Sequence, residues 1–547
     1  MKLHYPLMVL VLGIFVITQS NAQNLIPVKK NEFVNQNEKS LQAYDKIKEA
    51  LSLYEEDSQN ANSCLALLSE AYAINKENAE LNYNMGLCHL MSDTKEMARD
   101  YLLKAYQLDP KVSEDLLFLM GLAHQYEGNF LKAIKMFDQN IEIAISAKGS
   151  QKRKFIALCE KHISECKNAM LLGSMPVKQN LQLLNGEINS AYNDLNPIES
   201  DGMLYFSSQR AGNKKLEKPY YSPMHTKKAK AVPLSFGKEV NLAIVSIPER
   251  KSFIFYSGRY GDGDILLVHQ KAGKYMPAES LNFINQASSR EASACIAGKE
   301  LYFVSNRKGG YGECDIYYCT KNQDGKWTEA RNIGRDINTP YDEGDVFVSP
   351  DGKELYFSSK GHNSMGGYDI FKCTRLANGS WGIPENLGAG VNSPYHEIQY
   401  FKSKFGKEYM ASDRKGGMGG FDIYQIKEII ERPIAENKAS ETKNVIPQEK
   451  PKEIRKYTKE LIKEMVPELI YRVQILACKN EASAEQLYQV YKGKSMIEHH
   501  KIKGWHKYAI GKFNNYNDAA NFRDACGVEG AFVVLFRDDV PLKMSDL

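Results

Sequence analysis

The sequence predicts a multidomain chain: an all-α helical-repeat solenoid, an all-β propeller of five or six blades, and a small α+β domain of order βαββαβ. Three observations lead there. Residues 40–172 repeat every 34–35 positions with helical apolar spacing, and residues 185–427 repeat near every 50 with short aromatic strands. The last eighty residues alternate strand and helix patterns without repeating. Composition fits folded protein: 43% hydrophobic and 25% charged over 547 residues excludes both a multi-span membrane chain and a mostly disordered one. Lys+Arg 71 against Asp+Glu 67 leaves a net charge of +4, with no basic footprint for nucleic acid.

In order along the chain, residues 1–22 come first. Lys2, the 11-residue apolar run Leu7–Ile17 and the small residues of Ser20-Asn21-Ala22 read as a secretory signal peptide cleaved after Ala22. Such a run falls short of the roughly 20 residues needed to span a bilayer. The expectation is an exported, periplasmic, non-spanning protein associated with the outer membrane or cell wall. Ten cysteines in an exported chain invite disulfides, but their placement argues against a dense framework. Cys159 and Cys166 sit on one predicted helix with Cα atoms about 10 Å apart, too far to bridge. Cys319 and Cys373 occupy one position of two successive repeats. Cys64 with Cys88, and Cys478 with Cys526, stay open as pairs.

Within 23–175, Asn82-Tyr83-Asn84-Met85-Gly86-Leu87 recurs as Leu117-Phe118-Leu119-Met120-Gly121-Leu122. Ala98, Leu102 and Ala105 match Ala133, Phe137 and Asn140, and Cys64, Leu68, Ala71 and Ile74 match the set one period later. The logic is a helix hairpin in which Gly86 or Gly121 admits the partner helix at Ala98 or Ala133. Pro110 closes the middle repeat, and a further helix is expected over 153–171. These positions resemble the tetratricopeptide repeat, which implies a solenoid that binds protein segments on a concave face. The alternative is a plain helical spacer.

Across 176–428 the aromatic strand Leu204-Tyr205-Phe206-Ser207-Ser208 returns at Ile254–Ser257, Leu301–Ser305, Leu355–Ser359 and Tyr409–Ser412. An Asp-Ile marker follows at Asp264, Asp315, Asp369 and Asp422, each after a Gly-rich turn. Trp327 and Trp381 end hairpins, and Gln179–Asn189 is available as an outer strand. Four strands per fifty residues make one propeller blade. The markers resemble the TolB-like propeller family. Propellers of that kind also cap serine peptidases, whose Gly-x-Ser-x-Gly elbow is missing from this sequence. Acidic residues at one repeat position (Asp194, Glu343 and Glu397, with Glu291 one residue off) are expected to cluster on one face or near the axis in hydrogen-bonding roles. Gly261-Asp262-Gly263-Asp264 aligns with the Gly-rich turns rather than forming a calcium loop. His499-His500 reads as a lone exposed pair.

Residues 429–465 form a polar linker rich in Lys, Glu and Pro. In 466–547, strands are expected over Tyr471–Leu476, Ile497–Lys501, Trp505–Ile510 and Ala531–Phe536, with helices from Ser483 to Lys492 and from the cap Asn517 to Cys526. Val473-Gln474-Ile475, Tyr508-Ala509-Ile510-Gly511-Lys512-Phe513, Asp518-Ala519 and Ala531-Phe532-Val533-Val534 resemble the SPOR domain. The resemblance implies binding of peptidoglycan glycan strands stripped of stem peptides, with Gln474 and Trp505 at binding positions and Lys507 close by. Sugar rings stack on an aromatic, and an amide bonds hydroxyls and acetamides. Ala477 stands where the family commonly has a polar residue.

The functional expectation is a non-enzymatic periplasmic scaffold. Its helical repeats and propeller hold protein partners of an outer-membrane or periplasmic complex, and its last domain holds peptidoglycan. No catalytic residue, metal site or cofactor is expected. The order of domains resembles a type IX secretion accessory protein, which ends instead in an OmpA-like domain. Two alternatives stay open: a propeller enzyme acting on wall glycan or peptide, and an interaction hub without wall binding.

Overall fold

The computed structural model describes residues 24–33, 38–146, 152–210, 216–223, 230–231, 241–249, 251–259, 262–429, 462, 469–493, 495–502, 504–537 and 540–541. The expected signal peptide and most of the expected linker lie outside these residues. Contacts divide the chain into two units: residues 16–167 with 458–547, and residues 1–15 with 168–457.

The first unit opens with α1 (Lys30–Phe33), followed by α2 (Glu38–Glu56), α3 (Ala61–Ile74), α4 (Ala79–Leu90), α5 (Ala98–Leu108), α6 (Leu116–Tyr126), α7 (Phe130–Ser146) and α8 (Lys152–Gly173). Sequential helices pack as neighbours: α2 on α3, α4 on α5, α6 on α7. The repeat positions Cys64, Leu68, Ala71, Ala98, Leu102, Ala105, Ala133 and Phe137 are all fully buried. One expectation is corrected in detail. A Cβ at Gly86 would lie 2.5 Å from Leu102 Cγ, and one at Gly121 2.6 Å from a Phe137 ring carbon. The glycines therefore make room for the large residue one turn beyond Ala98 and Ala133, not for those alanines themselves.

Among its described residues the second unit carries five antiparallel sheets, four of them four-stranded and one five-stranded. After β1 (Gln179–Leu183), the first is β2 (Asp194–Ser200), β3 (Met203–Ser208), β4 (Lys218–Pro223) and β5 (Lys230–Ala231). The next is β6 (Asn241–Glu249), β7 (Ser252–Arg259) and β8 (Asp262–Lys271), edged by β9 (Lys274–Tyr275) and β10 (Glu279–Ser280). The third is β11 (Glu291–Ala297), β12 (Glu300–Ser305), β13 (Asp315–Thr320) and β14 (Arg331–Asn332). The fourth is β15 (Glu343–Val348), β16 (Glu354–Ser359), β17 (Asp369–Thr374) and β18 (Glu385–Asn386). The last is β19 (Glu397–Lys402), β20 (Glu408–Ser412) and β21 (Asp422–Glu428), completed by β1, which pairs Gln179 with Glu428. The first strands touch in cyclic order, β2 to β6, β11, β15, β19 and back to β2.

The sequence markers acquire physical causes. Each acid of the repeat position starts a first strand and is fully buried. Glu397 accepts from Ser393 Oγ at 2.7 Å, Ser412 Oγ at 2.8 Å and Arg414 Nη2 at 2.6 Å. Glu291 accepts from Ser289, Ser305 and Arg307, and Asp194 from Ser190 and Arg210, in the same way. Each acid thus ties the loop before a sheet to the end of that sheet's second strand. In three Asp-Ile markers the Asp takes the backbone of its Gly-rich turn: Tyr311 N–H donates to Asp315, Met365 N–H to Asp369, Met418 N–H to Asp422. That turn tucks under the next sheet's entry loop. A Cβ on Gly312, Gly366 or Gly419 would meet the carbonyl oxygen of Tyr341, Pro394 or Tyr192 at 1.9, 2.2 or 2.1 Å. An asparagine then grips the marker's isoleucine by both main-chain groups. Asn285 holds Ile265, Asn338 holds Ile316, Asn392 holds Ile370, and Asn189 holds Ile423 of the last sheet. The second sheet departs from this pattern: Leu242, paired with Ser257, stands where the others have an acid.

Residues 469–541 belong to the first unit: β22 (Leu469–Cys478), α9 (Ala484–Val490), β23 (Ile497–Ile502), β24 (Trp505–Phe513), α10 (Tyr516–Ala525), β25 (Phe532–Arg537) and β26 (Val540–Pro541). The sheet order is β23-β24-β22-β25-β26. Ser483 and Gln486 form a capping box on α9, which is shorter than the span expected. The cap of α10 is Asn515, whose side chain accepts the Asp518 N–H, and not Asn517. Tyr516 N–H also donates to Glu160 of α8 at 2.9 Å, and Arg153 pairs with Asp524. All ten cysteines are free thiols, eight of them buried, so the two open pairings are not formed.

Two predictions follow from the sheet unit. Asn189→Ala leaves the buried N–H of Ile423 unmet, while its carbonyl keeps the Leu184 N–H, and should lower urea stability by about 1–3 kcal/mol in the transition followed by Trp327 and Trp381 fluorescence. Glu343 meets no arginine: two residues past Ser359, where the other sheets carry it, stands Gly361, and the neighbouring Lys360 pairs with Asp342. Burial pushes its carboxyl up to about 8 against the lowering effect of its Thr339 and Ser359 donors. A carboxyl raised in the folded state keeps its proton there, so stability falls as pH climbs from the ordinary Glu range to about 8. Glu343→Gln should flatten that slope in melting curves taken from pH 5 to 8.5, at a pH-independent cost where its amide faces the Thr339 N–H.

Candidate functional site

The C-terminal sheet has two unlike faces, fixed by strand alternation and register. Val473, Ile475, Tyr508 and Ile510 point to one side, where Leu487, Val490 and Phe522 of the two helices cover them. Gln474 points to the other. Register lines up Phe532, Gln474, Ala509 and Glu498 as one row across β25, β22, β24 and β23. The neighbouring row on this face is Ala477, Lys507 and His500. Trp505 begins β24 beyond that row, opposite Ile502. The three residues singled out from sequence, Gln474, Trp505 and Lys507, therefore share one sheet face.

Their environments differ. Trp505 is 42% exposed, with Lys479 Nζ 5.9 Å from its ring centroid. Gln474 is only 7% exposed, held between strands on both sides. Ala509 beside it is small, which opens the row between Gln474 and Glu498. Sequence reasoning missed Phe532, the register partner of Gln474, although it is 50% exposed. It also missed Arg472, two residues before Gln474 and so on the same face; its guanidinium pairs with Glu498 and lies 5.1 Å over Phe536. Period-two alternation was the available signal for both. The arrangement is a polar strip of Gln474, Glu498, His500 and Lys507 with an exposed aromatic at either margin. By strand spacing and rise, those aromatics are about 16 Å apart. Of the histidine pair expected to be exposed, His499 is exposed and His500 is half-buried, and both make ring contacts. His499 stacks on Tyr508 and sits 3.0 Å from His506, and His500 packs on Phe536.

A second concavity lies among the first strands of the five sheets, with a volume of about 290 Å³. β-Bulges in these strands turn Asn196, Ser293, Asp345 and Gln399 toward it. Asn196 N–H donates to Gln399 Oε1 at 2.7 Å, and Gln399 N–H to Asp345 Oδ2 at 2.8 Å. Ser358 Oγ also donates to that oxygen. Burial pushes the Asp345 carboxyl up to about 6. Asp345 has no carboxylate beside it at the matching strand positions, which carry Asn196, Ile244, Ser293 and Gln399. Glu199, which also lines the cavity, is engaged by Tyr409 and Lys407. Among the described residues no group of three or more metal-ligating side chains converges.

Comparison with known proteins places a SPOR domain at residues 470–531, a span containing Gln474, Trp505 and Lys507. No curated protein sequence matches the chain. Among solved structures, the chain is similar to a puromycin hydrolase at 13% identity and TM-score 0.27, covering 43% of this chain and 39% of that one. It is similar to xylan β-1,4-xylosidase from Bacillus halodurans C-125 at 12% identity and TM-score 0.31, covering 49% and 61%. It is similar to the NanB sialidase of Streptococcus pneumoniae at 10% identity and TM-score 0.25, covering 42% and 35%. The chain thus spans less than two thirds of each, and none of their activities is carried over.

Because Trp505 and Phe532 are exposed and Gln474 packs between strands, their substitutions should separate. Trp505→Ala and Phe532→Ala are expected to shift stability by no more than about 0.5 kcal/mol. Arg472→Ala, which takes the guanidinium from Glu498 and uncovers Phe536, should cost about 2–3 kcal/mol in denaturation of the C-terminal domain.

Proposed function

We propose that the protein is a non-enzymatic scaffold of the periplasm that grips peptidoglycan through its C-terminal sheet and holds protein partners through its helices and sheets. One observation carries this reading: Gln474, Lys507, Trp505 and Phe532 share the sheet face that the two helices leave uncovered. Two aromatics flanking a strip of amide and charge match a glycan strand, whose sugar faces stack while hydroxyls and acetamides bond. A strand stripped of stem peptides also bares carboxylates, which Lys507 is placed to meet. The SPOR match at 470–531 supports the same ligand and a periplasmic or wall location. Among the described residues no helix is long and apolar enough to cross a membrane.

The five sheets, with β1 completing the last, are read as a five-bladed propeller of TolB-like type, and the paired helices as tetratricopeptide-like repeats. Both are partner-binding units in this proposal. Membership of a type IX secretion assembly rests on domain order alone. A second reading, a propeller enzyme, is favoured by the buried Asp345 carboxyl on the axial cavity. It requires an Asp345-dependent reaction on wall glycan or peptide, and Asp345→Asn would abolish it.

Sedimentation with purified peptidoglycan tests the proposal. Full-length protein should pellet with strands whose stem peptides have been removed by amidase, and less with intact wall. Trp505→Ala combined with Phe532→Ala should weaken pelleting by at least about tenfold. Equal pelleting of wild type and the double variant would sink the glycan-binding reading.

A further inference from the structure

Residues 24–29 carry no helix or strand, yet they are held firmly. Leu25 and Val28 are buried, Ile26 is half-buried and Pro27 is exposed. Asn84, in the middle of α4, faces this stretch. Its Oδ1 accepts the Ile26 N–H at 2.8 Å, and its Nδ2 donates to the Ile26 carbonyl, also at 2.8 Å. One fully buried side-chain amide thus satisfies both main-chain groups of a single residue 58 positions away. One turn earlier on α4, Glu80 pairs with Lys29 at 3.9 Å.

An amide that reads only N–H and C=O recognises extended backbone and not a particular side chain. Selectivity comes from the flanking apolar residues, Leu25 and Val28. Their separation of three matches a left-handed polyproline-type turn, and Pro27 between them favours that conformation. Asn84 is also singular. At the matching place one repeat later stands Leu119, itself fully buried, so the repeat packs with leucine there and asparagine is not needed for the fold.

We propose that the groove over α4 is a docking site for an extended segment of a partner protein with the pattern aliphatic-x-Pro-aliphatic, and that Leu25–Val28 occupies it in cis as an internal ligand the partner displaces. The proposal rests on reading the helices as a partner-binding unit and is independent of wall binding. An internal occupant lowers apparent affinity for a competitor by the fraction of time the groove is open.

The test uses the full chain and a fluorescein-labelled peptide of residues 24–30. Leu25→Asp with Val28→Asp disables the internal copy, and anisotropy should then show binding at least roughly tenfold tighter than to wild type. Asn84→Leu on that background should abolish it, as should a peptide with proline at the Ile26 position. Equal or absent binding to wild type and to the folded double variant overturns the proposal, as does binding indifferent to Asn84→Leu. Native-state hydrogen exchange gives a second readout: the Ile26 amide should exchange faster than the α4 amides, and exchange only on global unfolding would make the segment part of the core. A concentration-dependent dimer that the double variant loses would assign the groove to a second copy's segment and overturn the cis form. Pelleting with peptidoglycan should be unchanged throughout.

Discussion

The sheet unit depends on one recurring interaction: a carboxylate placed where no water reaches it. Asp194, Glu291 and Glu397 open three first strands, and each is enclosed by serine hydroxyls and an arginine from the far end of the second strand. A buried charge is tolerable only when paired and hydrogen-bonded, so the acid dictates the loop before it and the residues after the aromatic strand. The arginine is fixed in turn by a pair of adjacent rings: Arg307 lies 4.7 Å over Phe303 and 4.9 Å over Tyr317. This explains why serine and arginine trail the aromatic run in the repeats. The fourth sheet keeps the acid and its hydroxyls but replaces the arginine, and its glutamate is the one driven to about 8.

Much of this was legible before the structure, and the reasons are local. The aromatic strand, the Asp-Ile pair and the Gly-rich turn each belong to a single sheet, so their spacing survives in one dimension. The helix hairpins and the βαββαβ order were readable for the same reason. What escaped depended on partners far along the chain. Gly86 pointed to a close approach, but its alignment with Ala98 hid that the intruding side chain is Leu102. Asn515 and Asn517 are equally plausible caps in sequence, and only the Asp518 N–H decides between them. Phe532 looked like one more residue of an apolar closing strand until register set it beside Gln474. The embrace of Ile26 by Asn84 spans 58 residues and carries no periodic signature.

The C-terminal domain applies the same economy with opposite results on its two faces. Alternation sends Val473 and Ile475 into a dry layer under the helices and leaves Arg472 and Gln474 on the far side. There the polar groups lie between aromatics, with Arg472 and Gln474 buried in the row and Trp505 and Phe532 exposed at its margins. The outcome is a rigid scaffold for the face: its central strand is paired on both sides, and Gln474 has little freedom to lose when a ligand arrives.

The pairing of β1 with β21 also has a consequence in time. β1 leaves the ribosome before any of the five sheets and can pair only when the last of them is made, with Asn189 reaching Ile423 across 234 residues. Contacts of such sequence separation form late, because the chain must close a long loop before they repay it. Until then the edge of β21 stands open, a template for another chain. The seam is therefore the final event of folding and the natural place for unfolding to begin. A protein assembled this way has its kinetic lifetime set at one junction, while its other four junctions join sheets that follow one another in sequence.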